Sequence, residues 1–277
     1  MRMMILGSRG YMGQNLLARY PQAIGSTVDV ADPTALAGEL DRLRPEVVIN
    51  CAGKTGTPNI DWCEEHRLET LRANVTGALV VLEQCLNRGI YLVQMSSGCI
   101  YAGDNGGAGF SEDDPPNYAG SFYSRTKAWA DQICREFPVL TLRPRMPFDG
   151  TLSPRNLLMK IRKYSRLLTE RNSITHLPDF LDVLDRLIQR RATGIYNVVN
   201  EGAISPFEIM TRYREIVDPA HQFEALPIEQ LGEVARAGRS NCLLSTARLR
   251  AEGLQLPDVH QAVDRALHEL ARNLRGA

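Results

Sequence analysis

Short apolar runs alternate with amphipathic stretches, a glycine-spaced turn follows the first run directly, and a late apolar run returns after a helical interval. Together these predict an α/β protein built on a Rossmann-type, doubly wound parallel sheet, with a smaller, mostly helical substrate-binding domain. RMMIL (2–6) reads as the first strand, GSRGYMG as a turn, and a helix runs on through about Arg19. A weak strand near 22–28 precedes a helix from Pro33 to Arg44, and EVVINCAG (46–53) is a buried strand. A long helix spans roughly 68–88, and IYLVQMSS (90–97) is the next strand. Five glycines and two prolines make 103–120 a loop. A helix from Ser121 to Glu136, then VLTLRP (139–144) and GIYNVVN (194–200), complete the strand-bearing part. Residues 1–147 with 177–200 therefore form one expected domain; 148–176 with 201–277, helical and broken by prolines, form the other.

Composition narrows the partners. The 32 basic and 32 acidic residues cancel, so no net field draws in nucleic acid or an anionic membrane, and an anionic ligand must be met locally. No apolar run approaches the roughly 20 residues of a membrane span, and MRMMILGSRG leaves no room for a signal peptide. The six cysteines (51, 63, 85, 99, 134 and 242) form no CxxC pair. A reduced cytoplasmic protein without structural zinc is expected. The five histidines show no metal-ligand spacing. Only four residues are lysine: Lys54, Lys127, Lys160 and Lys163. Arginine supplies the other positive charges, so the lysines are candidates for proton chemistry that guanidinium cannot perform.

GSRGYMG sets Gly7, Gly10 and Gly13 between a strand and a helix. Gly7 suits a tight turn, Gly10 a close approach to a pyrophosphate, and Gly13 close helix–sheet packing. The N-termini of Tyr11 and Met12 would point at the phosphates. The second strand ends in Gly25, Ser26 and Thr27, where an NAD site usually carries an acid. Arg9 can pair with a 2′-phosphate. NADPH is thus favoured over NADH. Asp29 and Val30 are expected to edge the adenine, and Asn50, Cys51, Ala52 and Gly53 to close over the middle of the cofactor.

Tyr123 and Lys127 stand four apart on one helix face. With nine tyrosines and four lysines in 277 positions, a chance YxxxK is expected only about 0.13 times. Ser97 ends a buried strand at the edge that faces a ligand. A hydride arriving at a carbonyl carbon leaves an alkoxide that needs a proton from a positioned acid. Tyr123 is that acid, its pKa expected to be lowered by the Lys127 ammonium, and Ser97 holds the oxygen.

In order, GxxGxxG, NAG, a strand-end serine and YxxxK resemble the extended short-chain dehydrogenase/reductase family. RPEVVINCAG, TGTPNIDWCE, SSGCIYAGD, GSFYSRTKA, TLRPRMP, SPRNLLMKI, GIYNVVNEGAIS and RSNCLLSTARL narrow this to the nucleotide-rhamnose synthase/epimerase-reductase enzymes, which are similar to dTDP-4-dehydrorhamnose reductase. The resemblance implies 3,5-epimerisation and 4-reduction of a UDP- or dTDP-linked 4-keto-6-deoxy-glucose to the L-rhamnose nucleotide. It assigns reduction to Ser97, Tyr123 and Lys127, and epimerisation to Cys99 and Lys160. A thiol and an amine suit proton removal and return at carbons flanking a ketone. Arg155, Asn156 and Arg239 are candidates for the nucleotide diphosphate; Asn59, Asp61 and Trp62 for the sugar pocket. A reductase without epimerase activity and a non-catalytic NADP-binding subunit are the competing readings. No nucleic-acid or membrane partner is expected, and a homodimer is the assembly to test.

Overall fold

The computed structural model describes residues 1–276. Its elements run β1 (Met3–Leu6), α1 (Tyr11–Arg19), β2 (Ile24–Ser26), α2 (Pro33–Leu43), β3 (Val47–Asn50), α3 (Asp61–Glu65), α4 (Arg67–Leu71), α5 (Gly77–Leu86), β4 (Tyr91–Met95), α6 (Phe122–Cys134) and β5 (Leu140–Arg143). There follow α7 (Leu157–Ile161), β6 (Arg166–Leu168), α8 (Leu177–Gln189), β7 (Gly194–Asn197), α9 (Pro206–Ile216), β8 (Glu224–Leu226), α10 (Ala247–Ala251) and α11 (Val259–Gly276). A six-stranded sheet has the order β2-β1-β3-β4-β5-β7, and the pairs from β2 through β5 are parallel. Order reverses across β1 and β3, the switch that places a ligand crevice beyond the carboxyl ends of such strands.

The chain divides into two compact units. The first is Met1–Ile100, Pro116–Arg143 and Arg186–Tyr196; the second is Tyr101–Pro115, Pro144–Asp185 and Asn197–Ala277. These bounds differ from those read in the sequence. The segment Tyr101–Pro115 joins the second unit because it bridges there, Gly103 with Cys242 and Phe110 with Leu244. Most of α8 also falls in the second unit.

Each unit has its own core. In the first, Met4, Leu6, Val48 and Leu92 of the strands meet Leu36, Leu40, Val81 and Leu82 of α2 and α5. Buried on both faces, these strands read as continuous apolar runs rather than alternating ones. In the second, Ile209, Met210 and Tyr213 of α9 pack with Val259, Ala262, Val263 and Leu267 of α11. That unit is less purely helical than expected, for β6 and β8 pair in parallel. Both strands are three residues long, too short to show a period of two. The expected helix over 68–88 is likewise broken: a π-turn at Arg72–Thr76 separates α4 from α5, a device that often marks a functional position.

One fully buried ion pair fixes the helix on which the site depends. Asp131 of α6 takes two bonds from Arg143 at the end of β5, 2.6 Å from Nη2 and 3.0 Å from Nε. Ser96, just past β4, donates a 2.5 Å bond to the same carboxylate. Replacing Asp131 by Ala strands a buried guanidinium, so a loss of about 3–5 kcal/mol is expected in urea unfolding. The double replacement Asp131→Leu with Arg143→Met should cost distinctly less than D131A alone.

Candidate active site

The glycine turn is built by close approach. Gly7 has φ +71°, and a Cβ there would lie 2.6 Å from the Ala52 nitrogen; one on Gly13 would lie 2.4 Å from the Gly7 oxygen. No side chain fits at either place, so the β1 turn, the β3 turn and the start of α1 share one surface. Gly10 caps α1 in an extended conformation with no side-chain cap and no acid in the first turn. Tyr11 is buried and Met12 half-buried behind it, while Arg9 is exposed in the turn. The first turn of α1 thus presents backbone donors and the positive end of its dipole, a fit for a dinucleotide pyrophosphate.

The neighbouring residues are placed less uniformly. Asp29 binds Arg72 at 2.8 Å, which holds its carboxyl below the usual range, and its other oxygen accepts the Ala31 amide. Val30 is buried in the core, its methyl occupying the space beside Gly77, so its side chain is not free to edge a ligand. Asn50 is buried, accepting from the Ala52 amide and donating to Gln94; it shapes the turn through Cys51, Ala52 and Gly53. Burial pushes the Cys51 thiol up to about 12 despite the positive charge of Lys127.

Asn74, which the sequence motifs did not single out, ties this turn to α6. It lies in the π-turn, accepts from the Lys54 amide at 2.7 Å, and donates to the Lys54 carbonyl and to Thr126 Oγ1 at 3.1 Å. Thr126 in turn donates to the Tyr123 carbonyl at 2.8 Å. Glu64 is a second unforeseen contributor, accepting from the Phe122 amide at the head of α6. The only signal for Asn74 was its place in an over-long helix.

Ser97, Cys99, Tyr123 and Lys127 all belong to the first unit. Ser121 caps α6 by accepting from the Ser124 amide, which sets Tyr123 in the first turn. The Tyr123 phenol lies close enough to the Ser97 and Cys99 side chains for both to act on its titration; Ser97 Oγ accepts the Cys99 amide at 3.2 Å. One turn on, Lys127 donates from Nζ to the Met95 carbonyl at 2.8 Å. The expected lowering of the phenol does not occur. Burial raises Tyr123 well above its ordinary value, Cys99 and Cys63 adding to the rise while Ser97 opposes it. Burial lowers Lys127, against the pull of Cys99 and Asp131. A phenol that keeps its proton is what reduction of a carbonyl needs from an acid.

Asn59 accepts from the Asp61 amide at 2.8 Å and so starts α3. Trp62 stacks on His66, ring centres 4.0 Å apart, with the Lys54 amine 5.5 Å above its ring. Trp62 and Asp61 are half-buried. In the second unit, Asn156 departs from its expected role. It is fully buried as the cap of α7, its amide donating to Asp149 and the Thr151 carbonyl and its oxygen accepting the Leu158 amide. No part of it remains for a diphosphate. Arg155 is exposed. Lys160, on α7, is lowered by burial and then by the charge of Arg155. Arg239 is half-buried and donates to the Ala237 carbonyl.

Fold and site together define a Rossmann-type oxidoreductase of the short-chain dehydrogenase class, with a serine–tyrosine–lysine centre. The family model described as RmlD substrate binding domain matches residues 1–162, and the chain belongs to that family. It is 36% identical over 278 residues to a bifunctional dTDP-4-dehydrorhamnose 3,5-epimerase/dTDP-4-dehydrorhamnose reductase of Arabidopsis thaliana, covering 96% of this chain and 92% of that protein. The L780 UDP-rhamnose synthase of Acanthamoeba polyphaga mimivirus superposes with TM-score 0.91 at 30% identity, covering 97% of this chain and 99% of that one. A dTDP-4-dehydrorhamnose reductase of Bacillus anthracis, solved in complex with NADP, shares the fold at TM-score 0.84 and 21% identity, with 97% and 99% covered.

Because burial raises Tyr123, its acid form persists through neutrality. The rate of carbonyl reduction attributable to this group should hold level from neutral pH and fall only above the ordinary tyrosine value of about 10. In the oxidation direction, which needs the phenolate, the rate should still be climbing there. Tyr123→Phe should lower kcat by about 10²- to 10⁴-fold with little change in melting temperature.

Proposed function

We propose that this protein is a bifunctional 3,5-epimerase/4-reductase converting a UDP- or dTDP-linked 4-keto-6-deoxy-glucose to the L-rhamnose nucleotide with NADPH. The observation that carries the reading is the Tyr123 phenol with a hydroxyl, Ser97, and a thiol, Cys99, both near enough to act on its titration, and Lys127 one turn along the same helix. The 4-reductase half is supported by family membership and by the names of the relatives. Epimerisation is the finer step, and rests on Cys99 and Lys160.

The first unit would bind the cofactor and carry the reducing groups, and the second would meet the nucleotide diphosphate. The Gly7–Gly13 turn would hold the pyrophosphate, with Asp29 at the adenine, Asn50 through Gly53 over the middle, and Tyr123 and Lys127 at the nicotinamide end. NADPH held there would supply the hydride needed at the C4 carbonyl carbon. Ser97 orients the carbonyl oxygen, and Tyr123 gives it the proton. Lys127, turned toward the Met95 carbonyl, leaves the phenol protonated until the oxygen requires it. Asn59, Asp61, Trp62, Arg155 and Arg239 are the proposed substrate contacts.

Before reduction, the same ketone acidifies the protons at C3 and C5. Cys99 is half-exposed and near the phenol that would serve the carbonyl, which supports a role for it at a neighbouring carbon. Lowering of Lys160 by burial and by Arg155 enlarges its neutral fraction, the form able to accept a proton. A thiol and an amine are each able to exchange a proton with a carbon beside a ketone.

The described residues contain no helix long and apolar enough to cross a membrane, and their six cysteines are free; a reducing cytoplasmic setting is proposed. A homodimer is proposed as well. Trp129 and Ile133, four apart on one face of α6, are 42% and 38% exposed, and Phe137 beyond the helix end is 40% exposed. Light scattering should give a dimer that Trp129→Glu converts to monomer.

With UDP- or dTDP-4-keto-6-deoxy-glucose and NADPH in deuterated water, the purified protein should turn over without added epimerase and place deuterium at C3 and C5. Cys99→Ala should lose deuterium at one of these carbons by at least about tenfold yet still reduce a pre-epimerised substrate. Turnover that depends wholly on an added epimerase would reduce the proposal to the reductase alone.

A further inference from the structure

The second strand ends without an acid in the sequence, yet one arrives there in space. Glu39 lies on α2, thirteen residues after Ser26, and accepts a 2.6 Å hydrogen bond from the Ser26 hydroxyl. Ser26 is the last residue of β2 and is buried. Its carbonyl accepts the Ser8 hydroxyl at 2.7 Å and the Ser8 amide at 3.4 Å, which fastens the glycine turn to the strand end. Glu39 is 21% exposed, so its carboxylate is neither sealed in the core nor fully solvated.

That position has a defined chemistry. A dinucleotide whose pyrophosphate rests on the turn after β1 lays its adenosine ribose against the end of β2. A carboxylate there accepts the ribose 2′-hydroxyl, whereas a 2′-phosphate calls for a cation. Both kinds of charge border the strand end here, Arg9 exposed in the turn and Glu39 reaching over from α2. Arg42 lies 3.7 Å from the second oxygen of Glu39, but its side chain is 68% exposed and screens that charge only weakly. Arg72, a further cation of this unit, is engaged by Asp29 at 2.8 Å.

We propose that Glu39 is a specificity-determining residue of the cofactor site, accepting the 2′-hydroxyl of NADH and opposing the 2′-phosphate of NADPH, so that this chain uses both. The proposal rests on reading the glycine turn as a dinucleotide site. A helix residue thereby takes the part usually played by the strand's last side chain, with Ser26 as its tether. Arg9 supplies the opposing preference, and the balance of the two sets the ratio of affinities.

Calorimetric titration of the full chain with NADP⁺ and with NAD⁺ tests this without recourse to activity. Glu39→Gln keeps the hydrogen bond to Ser26 and removes the charge. It should tighten NADP⁺ by about tenfold through loss of a like charge, and weaken NAD⁺ by about threefold through exchange of a charged acceptor for a neutral one. Ser26→Ala, which releases the carboxylate from its tether, should move the ratio the same way by a smaller factor, and decides the matter alone should E39Q not fold. Equal changes for both nucleotides, or none in a folded variant, would overturn the assignment. A wild-type chain that binds neither nucleotide would instead refute the dinucleotide site itself, and this proposal with it.

Discussion

The buried pair of Asp131 and Arg143 is the constraint on which the catalytic geometry depends. Helix α6 carries Tyr123 and Lys127, whereas Ser97 and Cys99 follow β4, so the two groups meet only if helix and sheet keep a fixed register. Apolar packing between a helix and a sheet tolerates small slides. A bidentate guanidinium–carboxylate contact with a third bond from Ser96 does not, because each of its bonds has a direction. Ser96 is the residue before Ser97, so the network grips the strand end at the position adjoining the site. An ion pair of this kind adds little net stability over an apolar substitute; the specificity of register is the reason to retain it.

From the other side, Asn74 grips the same helix. Its position in a π-turn directs its amide toward the β3 turn and toward Thr126 at once, so the cofactor-facing turn and the tyrosine-bearing helix share one hydrogen-bonding centre. An uninterrupted α-helix over this segment would rotate the side chain away from one of these partners. With Glu64 at the head of α6 and Asp131 further along it, three polar contacts fix this helix.

Much of this was legible in the sequence. Strands buried on both faces give unbroken apolar runs, and the strands are there, though shorter than the runs; the glycines at 7, 10 and 13 do stand in the turn between β1 and α1. What failed did so for physical reasons. The π-turn leaves helical periodicity almost intact, so the span 68–88 read as one helix. Three-residue strands β6 and β8 carry no period. Asn156 falls within a motif shared with the family, but motif membership does not separate a residue that touches a ligand from one that caps the helix beneath it. The sense of the Tyr123 shift could not be had from spacing, because it is decided by burial, and burial is a property of the assembled fold.

Glu39 presents the same lesson in reverse. A rule phrased in sequence distance looks for an acid at the end of the second strand and finds Gly25, Ser26 and Thr27; the chemistry asks only for a carboxylate at a place in space. Side chains on a helix lean toward its N-terminus, which for α2 is the end nearest the ligand edge of the sheet, so a glutamate nearly two turns along can reach back to β2. Once there it is held by a serine too short to act alone. Oppositely charged groups bordering one ribose position make the site responsive to which nucleotide is abundant. A chain of zero net charge leaves every anionic ligand to local groups of this kind.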